Sequence, residues 1–196
     1  MPTTLKAIAT QKPPAGIRLC SPGGHGMVKP DSPAISVMTD FRTVSASTIS
    51  SDVSLPQASA AMVARGVRLL FVTAGGGQLV GLITARDTLG ERPLQILQSS
   101  GGTYADLRVS DLMCTVADFD TVTLGDVMHA RVADVLATLK RFGRQHLLVS
   151  DEDPEDGSTR IRGVFSATQI GRQLGVPVHG FEVARTFAEI EAALAH

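Results

Sequence analysis

An internal repeat narrows the folds open to this chain more than any other feature. The first copy opens with Ser54-Leu-Pro-Gln-Ala-Ser-Ala-Ala-Met-Val-Ala-Arg-Gly66. Ser54 fits an N-cap, Pro56 a first helical turn and Gly66 a helix stop. Leu55, Ala58, Met62 and Val63 recur at helical spacing and predict one apolar face. Residues 69–72 then read as a short apolar strand, Gly75-Gly-Gly77 as a turn, and 79–83 as the returning strand of a hairpin. Thr84-Ala-Arg-Asp87 opens a further short helix.

The second copy repeats this order. Val132, Val135, Leu136 and Leu139 form the helical stripe, with Lys140 and Arg141 in the last turn and Gly143 after it. Leu147-Leu-Val149 is the strand, 151–159 a longer polar turn, and 161–165 the returning strand. Ser166-Ala-Thr-Gln169 opens the last short helix. Met62 aligns with Leu139 and Val72 with Val149, both 77 residues on, whereas Gly81 aligns with Gly163 and Thr84 with Ser166, both 82 on. A helix–strand–strand–helix unit has half-buried faces that it cannot cover alone. Two copies packed through their sheets bury a shared core, which predicts one pseudo-symmetric α/β (α+β) domain. Residues 1–32, rich in Pro and Gly, read as an N-terminal arm, extended or mobile, although such a tail can also wrap a partner subunit. The two units span 33–100 and 101–175, and 176–196 form a C-terminal extension. Within it Val183, Phe187, Ile190 and Leu194 fall on one helical face, suited to packing on this module or across a dimer.

Charge and composition exclude several classes. The formal net charge of −1 offers no basic excess with which to displace counterions, so no nucleic-acid partner is expected. Aromatics are 4% with no Trp, which leaves little for base-stacking platforms. Cys20 and Cys114 are far apart and in no ligand spacing, as ordinary thiols of a reducing compartment would be. No apolar stretch reaches membrane-spanning length and none follows Lys6 as a signal peptide would. The expected location is therefore the cytoplasm, with no membrane partner.

Several segments resemble the cystathionine β-synthase (CBS) domain family. Ser36-Val-Met-Thr39 and Val109-Ser-Asp-Leu-Met113 are similar to its lead-in, and Val53-Ser-Leu-Pro-Gln-Ala58 to the entry of its first long helix. Leu79-Val-Gly-Leu-Ile-Thr-Ala-Arg-Asp87 resembles the signature strand and turn: Gly, two apolar residues, Thr or Ser, two variable residues, then Asp. Gly163-Val-Phe-Ser-Ala-Thr-Gln169 fills the same slot with Gln in place of Asp. The resemblance covers about residues 33–175. It implies a tandem pair, or Bateman module, of two β-α-β-β-α units related by a pseudo-two-fold axis, which often pairs again as a homodimer. It also implies clefts between the halves that bind AMP, ADP, ATP or S-adenosylmethionine as regulatory ligands, with no required cofactor. There the Asp accepts from the ribose hydroxyls and the Thr or Ser lies near phosphate.

The candidate binding residues are Thr84, Arg86, Asp87, Arg68, His146, Ser166 and Gln169. An ionised Asp87 can accept from both hydroxyls of a ribose, each bond to a charged group contributing roughly 1.5–3 kcal/mol. A helix start and Arg86 favour phosphate. Capping alone also explains Thr84-x-x-Asp87 and Ser166-x-x-Gln169, so for Asp87 taken by itself both readings stand. Gln169 forfeits charge assistance, which predicts one competent site at Thr84 and Asp87 and a weak or empty second one. Arg68 and Arg144-Gln-His146 enter the central strands at nearly matching positions; they either face the cleft or are loop charges beside a strand-end histidine. His25, His129, His179 and His196 have no ligand spacing.

No metal or catalytic constellation emerges. The acidic run 151–156 lacks the Gly and terminal Glu of a calcium loop, and Gly75-Gly-Gly77 lacks the Lys-Ser/Thr of a P-loop. The expectation is a non-enzymatic, stand-alone regulatory module that binds an adenosine compound and signals to a partner protein. Its rivals are a ligand-free dimerisation scaffold and an enzyme acting on nucleotides.

Overall fold

A computed structural model describes residues 28–176 and 183–194 of the chain. A 3-10 turn at Ala34–Val37 runs into β1 (Thr39–Asp40). The first copy follows as β2 (Thr48–Ser50), α1 (Leu55–Arg65), β3 (Leu69–Thr73), β4 (Leu79–Thr84), α2 (Ala85–Leu89) and α3 (Arg92–Ser100). A second lead-in, α4 (Val109–Leu112) and β5 (Cys114–Thr115), precedes the second copy. That copy comprises β6 (Thr121–Thr123), α5 (Leu124–His129), α6 (Val132–Arg141), β7 (His146–Glu152), β8 (Thr159–Ser166) and α7 (Ala167–Gln173), with α8 (Val183–Leu194) after it.

Local chemistry accounts for the long helices. Ser54 and Gln57 close the start of α1, the Gln57 Oε1 accepting from the Ser54 N–H at 3.3 Å. Gly66 ends it in the left-handed region (φ 64°) that a side chain would resist. Leu55, Ala58 and Met62 are buried as the spacing requires, but Val63 is 82% exposed. It sits in the last turn of α1, beyond the face that the hairpin covers. In α6 the whole predicted stripe, Val132, Val135, Leu136 and Leu139, is buried.

The repeat alignment holds to the residue. β3 and β4 pair antiparallel with Val72 opposite Gly81, and β7 and β8 with Val149 opposite Gly163. Each hairpin is irregular one residue later, at Val72/Thr73 and at Val149/Ser150. β2 joins β3 and β6 joins β7 in parallel. The polar turn of the second hairpin is shorter than 151–159, because β7 runs to Glu152 and β8 starts at Thr159. Asp153 is buried there, its Oδ1 accepting from the Glu155 N–H at 2.8 Å.

The fourth strand of each sheet comes from the other copy. The sheets are ordered β2-β3-β4-β5 and β1-β8-β7-β6, so β5 closes the first sheet and β1 the second. The lead-ins exchange with them. Leu107, Val109 and Leu112 pack into the core of Leu55, Leu70, Val72 and Ile83. Ala34 and Val37 pack with Val132, Leu136, Val149 and Phe165. Backbone bonds fix each exchange, Leu55 N–H to Leu107 O (2.9 Å) in one half and Val132 N–H to Ser32 O (3.0 Å) in the other. Alternate strand residues face a third cluster between the sheets, where Leu69, Phe71 and Leu148 meet and Phe41 stands edge-on to Phe71 at 5.4 Å. A strand buried on both faces explains the unbroken apolar runs of β3 and β7.

Residues 28–32, read as part of the arm, lie against α6, where Pro30 O accepts from the Ala133 N–H at 2.9 Å. The rest of that arm, with Cys20 and His25, falls outside the described residues, as do His179 and His196. α8 lays Phe187 and Ile190 into the second copy's core.

Candidate functional site

Two clefts open between the halves, and the pseudo-two-fold relates them. The first, about 250 Å³, is lined by Thr84, Arg86 and Asp87 at the β4–α2 junction, Arg68 and Leu69 at the start of β3, and Arg92. The second copy contributes Phe119, Asp120, Arg144 and His146, and β5 contributes Cys114. The other cleft, about 630 Å³, is lined by Ser166, Gln169 and Arg172 from the second copy. Facing them are Gly66–Leu69, Val63 and Leu89 of the first copy and Thr39 of β1.

The seven candidate residues therefore divide. Thr84, Arg86, Asp87, Arg68 and His146 meet in the first cleft. Ser166 and Gln169 line the second, where Arg68 and His146 also form part of the wall. The Ala85 N–H donates to Arg68 O at 3.0 Å, and the Ala167 N–H donates to Gln145 O at 2.9 Å. The structural mate of Arg68 is thus Gln145, one residue beyond Arg144. The sequence reading missed Arg92, Asp120 and Arg172. Their positions carry no motif: Arg92 and Arg172 follow Asp87 and Gln169 in their own copies, and Asp120 comes from the copy opposite Asp87.

Asp87 closes the start of α2, its Oδ2 accepting from the Thr84 N–H at 2.8 Å and the Thr84 hydroxyl at 2.7 Å. The same cap recurs away from this cleft: Asp111 accepts from the Arg108 N–H and Asp134 from the Arg131 N–H, both at 2.8 Å. The cap by itself therefore does not mark a ligand site. What sets Asp87 apart is the cleft it faces, whose wall carries Arg68, Arg86, Arg92 and Arg144 against two carboxylates, Asp87 and Asp120. Arg144 lies 3.7 Å from Asp120 across an exposed rim, where an ion pair contributes little. At the mate of Asp87, Ser166 Oγ accepts a long 3.5 Å bond from the Gln169 N–H, and the charge is absent.

Burial shapes the shared wall. His146 is pushed down to about 4, by loss of solvent first and then by the Arg68 charge, so near neutrality it is an uncharged imidazole. Arg68 is itself lowered, by burial first and then by the like charge of Arg172. Burial likewise raises Cys114, which keeps it a thiol rather than a reactive thiolate. His129 has a structural contact, its Nδ1 lying 2.9 Å from Gly125 O. Among the described residues, no three His, Cys, Asp or Glu side chains gather as a metal site. No described helix is long and apolar enough to cross a membrane.

Residues 28–92 match the CBS domain family. No curated protein matches the chain. Among solved structures it is similar to an uncharacterized conserved protein from Pyrococcus horikoshii, at 21% identity and TM-score 0.52 over 74% of this chain and 93% of that one. It is also similar to CBSX2, an Arabidopsis thaliana CBS-pair protein, solved in complex with AMP. That match has 22% identity and TM-score 0.49, over 72% of this chain and 94% of the other. A conserved CBS domain protein of unknown function from Thermoplasma acidophilum matches at 16% identity and TM-score 0.49, over 80% of this chain and 76% of that one. At 21% identity the likeness to the Pyrococcus horikoshii protein is one of fold. With residues 28–92 matched to the CBS domain and a second copy of the same strand order, register and hairpin irregularity, the chain carries a CBS domain and folds as a CBS pair.

Proposed function

We propose that this chain is a regulatory sensor that binds an adenine nucleotide or S-adenosylmethionine in the first cleft and passes its occupancy to a partner protein. The observation that carries the reading is the convergence of Thr84 and Asp87 with four arginines in one cleft between the copies. Both capping bonds fall on Asp87 Oδ2, which leaves Oδ1 to accept from ribose hydroxyls. The arginines suit phosphate, or the carboxylate of S-adenosylmethionine. Leu69, Leu82, Phe119 and Leu148 supply an apolar wall for the base. A ligand there touches both copies and acts on the angle between the sheets, by no more than its differential affinity for the two arrangements. The module works as a homodimer, with the signal read by a second protein.

A thermal-shift screen against AMP, ADP, ATP, S-adenosylmethionine, NAD and guanine nucleotides tests this. Ligand at about 100 times its dissociation constant adds about 2.7 kcal/mol, and each kcal/mol moves the midpoint roughly 2–4 °C at this chain length. A shift with one adenosine compound, abolished by Asp87→Ala, supports the sensor. If folded protein shows no shift with any of them, the reading fails in favour of a ligand-free pairing scaffold. The caps at Asp111 and Asp134 favour that second reading, since the same carboxylate device recurs there away from this cleft.

A further inference from the structure

We infer that the groove between α1 and α2, within the first copy, is the seat of a short amphipathic helix supplied by a partner protein. The two copies treat this groove differently. In the second copy α8 lies against both α6 and α7 and buries Phe187 and Ile190 there. In the first copy Tyr104 closes one end, its hydroxyl donating to Thr88 O at 2.9 Å and lying 3.5 Å from Ser59 Oγ. Beyond it Ser59, Met62, Val63, Thr88 and Leu89 still line open space. By the repeat offsets of 77 and 82 their mates are Leu136, Leu139, Lys140, Ile170 and Gly171, none of which lines the first cleft. Val63 is 82% exposed, but its mate Lys140 pairs with Glu191 of α8. Leu89 is 68% exposed, but its mate Gly171 is buried in α7. The exposed apolar pair thus stands on the two helices whose mates hold α8.

The seat specifies the chemistry of its occupant. Its five lining residues are uncharged, and α1 carries no charge from Leu55 to Ala64. Where α8 meets Lys140 with Glu191, a helix in this groove meets Val63, so an apolar residue belongs at that position. A second copy offering its own α1 would present the exposed Ala60 and Ala64, too small to fill a groove whose mate receives a phenylalanine and an isoleucine. The partner helix therefore carries two large apolar residues three apart, as Phe187 and Ile190 are, and a third in place of Glu191. The short helix α2 joins this groove to the first cleft, with Asp87 facing the cleft and Leu89 the groove. A ligand held by Asp87 bears directly on one wall of the seat. The helix is the reader that the proposed sensor calls for and rests on that reading for its role. Its binding is measured without nucleotide, so either can fail alone.

Fluorescence anisotropy of the full chain with two labelled α8 peptides (183–194), stapled helical on their outer face, tests the seat. One peptide has the natural sequence and the other carries Glu191→Leu. The Glu191→Leu peptide should bind, about fivefold or more tightly than the natural one. Leu89→Lys in the protein should weaken it about tenfold or more. Val63→Lys should reverse the preference between the peptides, because it restores the pairing that Lys140 makes with Glu191. Both side chains are largely exposed, so these variants keep the fold. The inference is overturned if folded protein binds neither peptide, or if Val63→Lys leaves the preference as it was. It also fails if Leu89→Lys leaves binding unchanged, which would put the peptide in the place of α8 on the second copy. Sedimentation supplies the last check: a wild-type dimer split by Val63→Lys or Leu89→Lys would mean that the groove holds a second copy, and the partner helix would be ruled out.

Discussion

A β-carbon built on Gly81 would lie 2.4 Å from the carbonyl oxygen of Cys114, on the strand that the second copy lends to the first sheet. Its mate Gly163 stands in the same relation to Thr39, whose carbonyl oxygen would be 2.6 Å away. The signature glycine is thus required by the passing backbone of the exchanged strand. Gly81→Ala and Gly163→Ala should each cost about 1–3 kcal/mol, seen as a lower midpoint in thermal or urea unfolding. Gly75→Ala is the control, since nothing lies within 4 Å and its φ is not positive.

Replacing Asp87 in two ways separates cap from ligand. Asparagine can still accept from the Thr84 N–H, so Asp87→Asn should change stability by no more than about 0.5 kcal/mol, whereas Asp87→Ala should lose about 1 kcal/mol. Both should weaken nucleotide binding roughly 10- to 100-fold through loss of the charged acceptor. Calorimetry paired with urea denaturation reads the two effects apart. Equal affinity in wild type and Asp87→Asn would remove the carboxylate from the binding account.

Acid should weaken the fold in two separate windows. His146 sits at about 4 when folded, against 6.5 for the ordinary side chain. Between those values the unfolded chain takes up a proton that the folded chain refuses, so stability falls as pH drops. This contribution is fully present above about 6.5 and is lost by about pH 4, a total of roughly 3 kcal/mol. Asp52, Asp106 and Asp156 are held below 3.8 by hydrogen bonds, chiefly from Ser50, Thr103 and Ser158 respectively, so their share is lost only at lower pH. Unfolding free energies from urea titrations at pH 7.5 and 5 should differ by about 2 kcal/mol in wild type and by much less in His146→Gln.

The C-terminal helix should behave as core. Phe187 is 4% exposed among second-copy residues, and Phe187→Ala should cost about 3–5 kcal/mol in chemical denaturation. Glu191, paired with Lys140 where both are more than half exposed, should be replaceable by Ala within about 0.5 kcal/mol.

Much of this architecture was legible in the spacing of residues. Helical periodicity identified Leu55, Ala58 and Met62, and the matching stripe from Val132 to Leu139. The glycine offset set the hairpin register that pairs Val72 with Gly81 and Val149 with Gly163. Val63 was misplaced because it stands about 100° around the helix from Met62, at the margin of the Leu55, Ala58 and Met62 face and not on it. The strand exchange was hidden, since β1 and β5 are two residues each and too short to show any period. With the exchange unseen, Thr84 and Asp87 could be named as candidates but Arg92, Asp120 and Arg172 could not. Arg92 and Arg172 lie beyond the signature in their own copies, at positions that no motif marks, and Asp120 joins Asp87 only when the two copies pack. The amide of Gln169 signalled a departure at the second cleft, but its larger volume and carboxylate-free wall depend on packing.

Because β1 and β5 each complete the opposite sheet, a gene cut near residue 101 would separate neither half cleanly. Each fragment would carry away the edge that its counterpart needs and expose an unsatisfied one of its own. Expressed singly, both pieces should be sticky and poorly folded; expressed together, they should reassemble into one particle by returning the borrowed strands. The molecule is in this sense a two-way loan between its halves, and complementation of fragments would recover it.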